Sequence, residues 1–182
     1  TAEVELEELV AIGNRHHVPV LEDLGAGALI DLSQYGLPKE PIVAERIAAG
    51  ADILVMDDGF QNLSIRKTLS IVVVDGEIGF GNSRVMPAGP LREPLMDGLE
   101  RADAVLIVGE DQFNLSNTLM PHQEKGLTLF KGTLEASKII EDLSNTRVLA
   151  FAGIGRPNKF YSTLRKLGCE ITDTYSFPDH HV

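Results

Sequence analysis

Basic residues and cysteine are both scarce in this chain. It carries 16 Lys and Arg against 27 Asp and Glu, a formal net charge of −11. Such a surplus of acid repels polyanions, so nucleic-acid binding would need a concentrated basic patch, and the sequence has none. Anionic headgroups are disfavoured too, unless a metal or a few arginines meet the phosphates locally. The single cysteine, Cys169, leaves no disulfide framework or thiolate metal cluster and suits a reducing, cytosolic setting. No apolar run approaches the roughly 20 residues that a membrane-spanning helix needs, and the N-terminus is not a signal peptide. Three motifs are also missing: the G-x-x-x-x-G-K-[ST] loop that wraps a nucleoside triphosphate, the G-x-S-x-G elbow, and any zinc-spaced Cys/His set.

What remains has the make-up of a folded protein. The 182 residues are 43% apolar and 24% charged, enough for one domain with a proper core or for part of a larger one. The opening TAEVELEELV has no initiator Met, and the chain stops at FPDHHV; both ends read as cuts. No internal repeat or low-complexity segment is visible.

Periodicity predicts alternating helices and short apolar strands. Residues 3–16 suit a helix with acid crowded at its start. A strand over Val18–Leu21 then runs out at Glu22 and Asp23, and a glycine-rich loop fills 24–40. A short helix from Pro41 to about Ala49 stops at Gly50. Ile53 to Met56, Ile71 to Val74, Ala104 to Val108 and Val148 to Ala152 are uninterrupted apolar runs, as a sheet buried on both faces requires. A helix over Pro157–Leu167 and a strand over Glu170–Phe177 follow. Residues 110–126 are polar and irregular, the pattern of a surface excursion. The fold class predicted is α/β, a parallel-rich sheet with helices on both faces.

Four constellations could carry chemistry. Met56-Asp57-Asp58-Gly59-Phe60-Gln61-Asn62 puts adjacent carboxylates directly after a strand, where α/β sheets hold ligands. Such a pair can hold Mg²⁺ while substrate phosphates complete the shell. An ordinary turn at Asp58-Gly59 explains the same residues, and spacing does not separate the two. Phe80-Gly81-Asn82 and Val85 through Pro94 form a stiff loop on which Arg92 could meet a phosphate or carboxylate; composition favours solvated Arg92 and Glu93. Phe151-Ala152-Gly153-Ile154-Gly155-Arg156-Pro157 could offer amides at a helix start, though a tight strand-to-helix turn serves almost as well. Phe177-Pro178-Asp179-His180-His181 sets a histidine beside an acid, a pair able to orient a base. A solvated terminal segment is the alternative.

The order DDGFQN, IVVVDG, FGN, PAGPLREP, RADAVLIVG, FAGIGRP and FPDHH over residues 51–182 resembles the lipid A 4'-kinase family. That resemblance implies a P-loop-NTPase-like fold, here lacking the P-loop. It also implies transfer of the ATP γ-phosphoryl group to the 4'-hydroxyl of a tetraacyldisaccharide 1-phosphate, the lipid A precursor. Asp57 and Asp58 would bind Mg²⁺–ATP, with Gln61 in the same motif. His180, with Asp179, would assist the catalytic base. Asn62 stands where many members have His. The family acts at the cytoplasmic face of the bacterial inner membrane, and this chain has no transmembrane segment to take it further.

Residues 1–50 match none of the kinase family's opening elements. ELVAIGNRHHVPVLEDLGAGALIDLSQYGLPKEP instead resembles the selenium transferase that makes selenocysteinyl-tRNA, a pyridoxal-phosphate (PLP) enzyme. In that resemblance Asp23 would be the buried acid that pairs with the PLP pyridine nitrogen. The segment with the Schiff-base lysine is missing, so PLP is not expected to bind. The two resemblances meet at AAGAD, residues 48–52, and predict a chimera of two segments, 1–50 and 51–182, packed as one domain. A non-catalytic α/β scaffold and a PLP-transferase fragment are the competing expectations.

Overall fold

A computed structural model of the chain describes residues 4–25, 28, 30–37, 42–135 and 143–178. Two compact units divide it, Thr1–Gly132 and Thr133–Val182.

The first unit opens with helix α1, Leu6–His16, with Glu7 and Glu8 in its first turn and Arg15 and His16 in its last. That order of charge suits the helix dipole. His17, in the left-handed region at φ 55°, turns the chain, and the Val18 amide donates back to the Gly13 carbonyl. The strand expected over 18–21 is therefore displaced, and β1 forms at Leu21–Asp23. Helix α2, Val43–Ala49, ends at Gly50 with φ 101°. Strand β2, Ile53–Val55, pairs in parallel with β1, Leu21 opposite Ile53 and Asp23 opposite Val55. Residues on either side of position 51 thus share one ladder.

Strand β3 (Ile71–Asp75), helix α3 (Leu95–Arg101), strand β4 (Ala104–Val108), helix α4 (Leu115–Gln123) and strand β5 (Thr128–Gly132) follow. The three strands form a parallel sheet in the order β3-β4-β5. Val74, Val105 and Ile107 pack with Leu99 of α3, Leu115 and Leu119 of α4, and Leu127 in one buried cluster.

The two sheets of this unit start in the same way. Asp52, just ahead of β2, accepts the Val20 amide at 2.9 Å, and Asp103, just ahead of β4, accepts the Ser70 amide at 2.7 Å. Each aspartate's own amide donates back to the same residue's carbonyl, Val20 and Ser70 respectively. An Ala-Asp pair before a strand thereby satisfies the backbone where its parallel neighbour begins.

Strand burial is uneven. Val105 and Ile107 of the central β4 are fully buried, whereas Val73 of β3 is 64% exposed and Phe151 of the second unit is 66% exposed. Continuous apolar runs predicted burial on both faces; outside β4, alternate residues face outward. The excursion predicted over 110–126 is also corrected, because α4 lies inside it with Leu115 and Leu119 buried. Asp111 organises that helix start. Its carboxylate accepts the Leu115 amide at 2.7 Å, the Ser116 amide at 3.0 Å and the Ser116 hydroxyl at 2.7 Å. Burial pushes the Asp111 carboxyl up, but these bonds and the charge of Lys131 outweigh it and hold it below the ordinary range.

In the second unit, β6 (Arg147–Ala152) and β7 (Glu170–Ser176) pair in parallel around helix α5, Pro157–Lys166. Buried Tyr161 of α5 donates its hydroxyl to the Tyr175 carbonyl at 2.8 Å, fixing the helix to the end of β7. Among the described residues, no helix is long and apolar enough to cross a membrane.

Candidate functional site

The parallel ladder of β1 and β2 sends both chains out at one end. Leu24 donates its amide to the Val55 carbonyl at 2.9 Å, so Asp23, the last residue of β1, and Asp57 and Asp58, just past β2, lie at the same carboxyl end of the ladder. Asp57 and Asp58 are exposed. Asp58 adopts the left-handed conformation at φ 57°, and Gly59–Gln61 then form one 3-10 turn with Gly59 buried. Aspartate tolerates that backbone region better than most residues, which lets the chain reverse at once while both carboxylates stay in solvent.

Asp23 is exposed, and its Oδ1 accepts the Gly25 amide at 3.0 Å. It stabilises a turn and does not have the buried setting that a PLP-nitrogen partner would need. No third acidic, histidine or cysteine side chain joins Asp57 and Asp58, since no group of three or more such residues is gathered anywhere among the described residues. The pair nonetheless fits magnesium in type. This ion takes one or two carboxylates and leaves its other positions to water and phosphate oxygens.

The second stretch, residues 80–94, is built around Asn82. Its side-chain amide donates to the Ala88 carbonyl at 2.8 Å and its oxygen accepts the Arg84 amide at 3.1 Å. Gly89 passes so close that a Cβ there would run into the Asn82 side chain and the Arg84 carbonyl. These contacts explain the joint appearance of FGN and PAGP: one asparagine staples the loop, and one glycine leaves room for it.

The stapled loop delivers Arg92 and Glu93 to the acidic turn. Arg92 Nη2 donates to Asp58 Oδ2 at 3.1 Å. Gln61 Nε2 donates to Glu93 Oε1 at 2.9 Å. Glu93 also receives Arg101, the last residue of α3, at 2.7 Å and 2.9 Å, while the Arg101 guanidinium lies 5.1 Å from the centroid of Phe60. The Arg101 hydrogen bonds, which outweigh desolvation, with help from Gln61, hold the Glu93 carboxyl below its usual range; the same pairing raises Arg101. Composition favoured solvated Arg92 and Glu93; Arg92 is paired yet half exposed, whereas Glu93 is paired and largely covered. Sequence reasoning missed Arg101 and Lys67, whose ammonium donates to the Asn62 carbonyl and, at 3.5 Å, to that of Phe60. No short motif marks either residue.

Of the histidine constellation, only Phe177 and Pro178 are described. Asp179, His180 and His181 lie outside the described residues, beyond the end of β7. The glycine turn over 153–156 joins β6 to α5, with Pro157 at the helix start and no side-chain cap from Arg156. It belongs to the second unit.

Comparison with known proteins divides the chain much nearer its start than the two compact units do. The family model described as tetraacyldisaccharide-1-P 4'-kinase matches residues 42–182. One described as L-seryl-tRNA selenium transferase matches residues 1–60. The two matches overlap around the junction expected near 51. A tetraacyldisaccharide 4'-kinase of Paramagnetospirillum magneticum is 51% identical over 132 residues, 72% of this chain and 40% of the relative. Those of Rhodospirillum centenum and Rhodospirillum rubrum are 52% and 49% identical, over 73% and 77% of this chain and 39% and 42% of the relatives. The chain therefore spans about two-fifths of the length of the curated relatives it matches. No solved structure matches.

Proposed function

Because the chain belongs to the tetraacyldisaccharide 4'-kinase family, we propose that it is a segment of an ATP-dependent kinase acting on the 4'-hydroxyl of the tetraacyldisaccharide 1-phosphate lipid A precursor. The observation that carries this is the meeting of two separated motifs. Asp58 and Gln61 of DDGFQN touch Arg92 and Glu93 of PAGPLREP across 34 and 32 residues. A mere turn at Asp58-Gly59 would not need that partner loop.

Asp57 and Asp58 would hold Mg²⁺, which, when bound, neutralises phosphate charge as the phosphoryl group moves. Arg92 suits phosphate because its fork can exchange the Asp58 carboxylate for phosphate oxygens. That pair is exposed, Arg92 by 51% and Asp58 by 71%, and an exposed ion pair is worth about 1 kcal/mol or less. A ligand can open it at little cost. Gln61, tied to Glu93, keeps the turn beneath the two acids in place. His180, with Asp179, is assigned to help the base that takes the proton from the attacking hydroxyl.

We also propose that residues 1–50 derive from a selenium-transferase sequence and 51–182 from the kinase. The match of residues 1–60 to the transferase supports that ancestry. It does not extend to PLP chemistry, given an exposed Asp23. The chain has no G-x-x-x-x-G-K-[ST] sequence, and phosphoryl transfer depends on gripping the γ-phosphate. Alone, it is proposed to be inactive, its parent enzyme working at the cytoplasmic face of the inner membrane.

Phosphoryl transfer from labelled ATP to the disaccharide precursor tests this, using the chain and a relative of full length. The relative is expected to turn over and to lose at least roughly a hundred-fold with alanine at the positions of Asp57 and Asp58. Unchanged turnover would remove the metal assignment.

A further inference from the structure

We infer that Arg101 is a positioning residue for the acidic turn: it fixes the conformation of Asp57 and Asp58 from outside, through Glu93, Gln61 and Phe60, without touching either acid. The inference builds on the proposed metal role of Asp57 and Asp58, but its geometry stands apart from that role.

Arg101 uses its guanidinium in two ways at once. Its edge meets Glu93 in two bonds, Nη1 to Oε2 at 2.7 Å and Nη2 to Oε1 at 2.9 Å. This fork-to-fork pairing fixes the plane of the carboxylate. Its face lies over Phe60 at 5.1 Å, within the range of a cation–π contact. Glu93 Oε1 then takes the Gln61 amide at 2.9 Å. Phe60 and Gln61 are the residues directly after Asp58-Gly59, so their side chains set where that turn lies.

Arg101 is itself held. It ends helix α3, whose Leu99 is 5% exposed in the main core, and it donates to the Asp97 carbonyl at 3.2 Å. Position therefore passes from the core through α3 and the guanidinium to the turn. The bond that Asp58 makes itself, to Arg92, is too exposed to do this. A lysine at 101 would keep the charge but could not provide the fork and the stacked face together.

The test uses the whole 182-residue chain, labelled with ¹⁵N, and two readouts. One is hydrogen exchange at the Asn62 amide, which closes the turn by donating to the Gly59 carbonyl at 3.1 Å, with Ile107 in β4 as the core reference. The other is broadening of the amides of residues 57–59 by Mn²⁺. Arg101→Lys and Arg101→Gln are expected to speed Asn62 exchange roughly ten-fold while Ile107 keeps its protection, and to raise the apparent Mn²⁺ dissociation constant roughly three-fold. The swap Arg101→Glu with Glu93→Arg re-forms an ion pair but neither the Phe60 contact nor the carboxylate that accepts Gln61, so Asn62 exchange should stay fast; full recovery would overturn the route through Phe60 and Gln61. Unchanged Asn62 exchange in Arg101→Gln would overturn the inference. Should Arg101→Gln also loosen Ile107, Glu93→Gln decides, since it removes the charge but keeps the side-chain volume. Faster exchange at Asn62 alone supports the inference, and no change overturns it. If the unmodified chain shows no Mn²⁺ broadening, the metal assignment falls, while the exchange comparison still judges Arg101.

Discussion

Arg92 and Arg101 serve one site and are used in opposite ways. Arg92 makes a single bond to Asp58, and both partners are more than half exposed. Arg101 makes two hydrogen bonds to Glu93, with side-chain exposures of 35% and 20%, and adds the face of Phe60. Water competes freely for the first pair and poorly for the second. The outer pair is cheap to open, and the inner one is not. Where charges meet thus matters less than how much solvent reaches them.

The contrast can be broken by measurement. The largest effect is expected from Gly89→Ala, because the added Cβ collides with the Arg84 carbonyl and the Asn82 side chain and so dislodges the loop that carries both Arg92 and Glu93. A loss on the order of 2–3 kcal/mol in urea denaturation is expected. Glu93→Ala should follow at about 1–2 kcal/mol, since it strands Arg101 and frees Gln61.

The acid limb of stability gives a third measure. Glu93 and Asp111 are both held below the ordinary carboxylate range in the folded chain. Each therefore contributes stability that is fully present above the unfolded-state pKa and is lost as pH falls through the lower folded value. Melting temperature across that acid window should fall less steeply in Glu93→Gln than in the unmodified chain. Equal slopes would mean that the Glu93 pairing is not maintained in solution. Smallest of all, Arg92→Ala should change stability by no more than about 0.5 kcal/mol. A loss as large as that of Glu93→Ala would erase the distinction between the two arginines.

Local pattern carried much of the fold. The apolar runs at 53–56, 71–74, 104–108 and 148–152 coincide with β2, β3, β4 and β6, because short runs rich in β-branched and other apolar residues favour strands even where, as outside β4, one face is exposed. Gly50 closes α2 and Pro157 opens α5 as expected. Strand β5 went unread: Thr128–Gly132 has the burial pattern of an edge strand, mostly exposed, and its sequence is too mixed to stand out. Helix α4 was hidden because its start depends on Asp111, outside the helix, and on Asn114 at φ 55°, neither of which periodicity detects.

The position of Asp57 and Asp58 directly after a strand was fixed by sequence alone, since an apolar run followed by acid and glycine marks a strand end wherever it occurs. Which cation meets which acid was decided only by tertiary structure. With 27 acidic and 16 basic side chains, charge by itself allows far too many pairings. Bringing Asp58 to Arg92 and Gln61 to Glu93 requires the Asn82-stapled loop and α3 to be packed against the turn. The exposure that makes one pair easy to open and the other hard is likewise a property of the packed chain, because solvent access depends on neighbours that are distant in sequence.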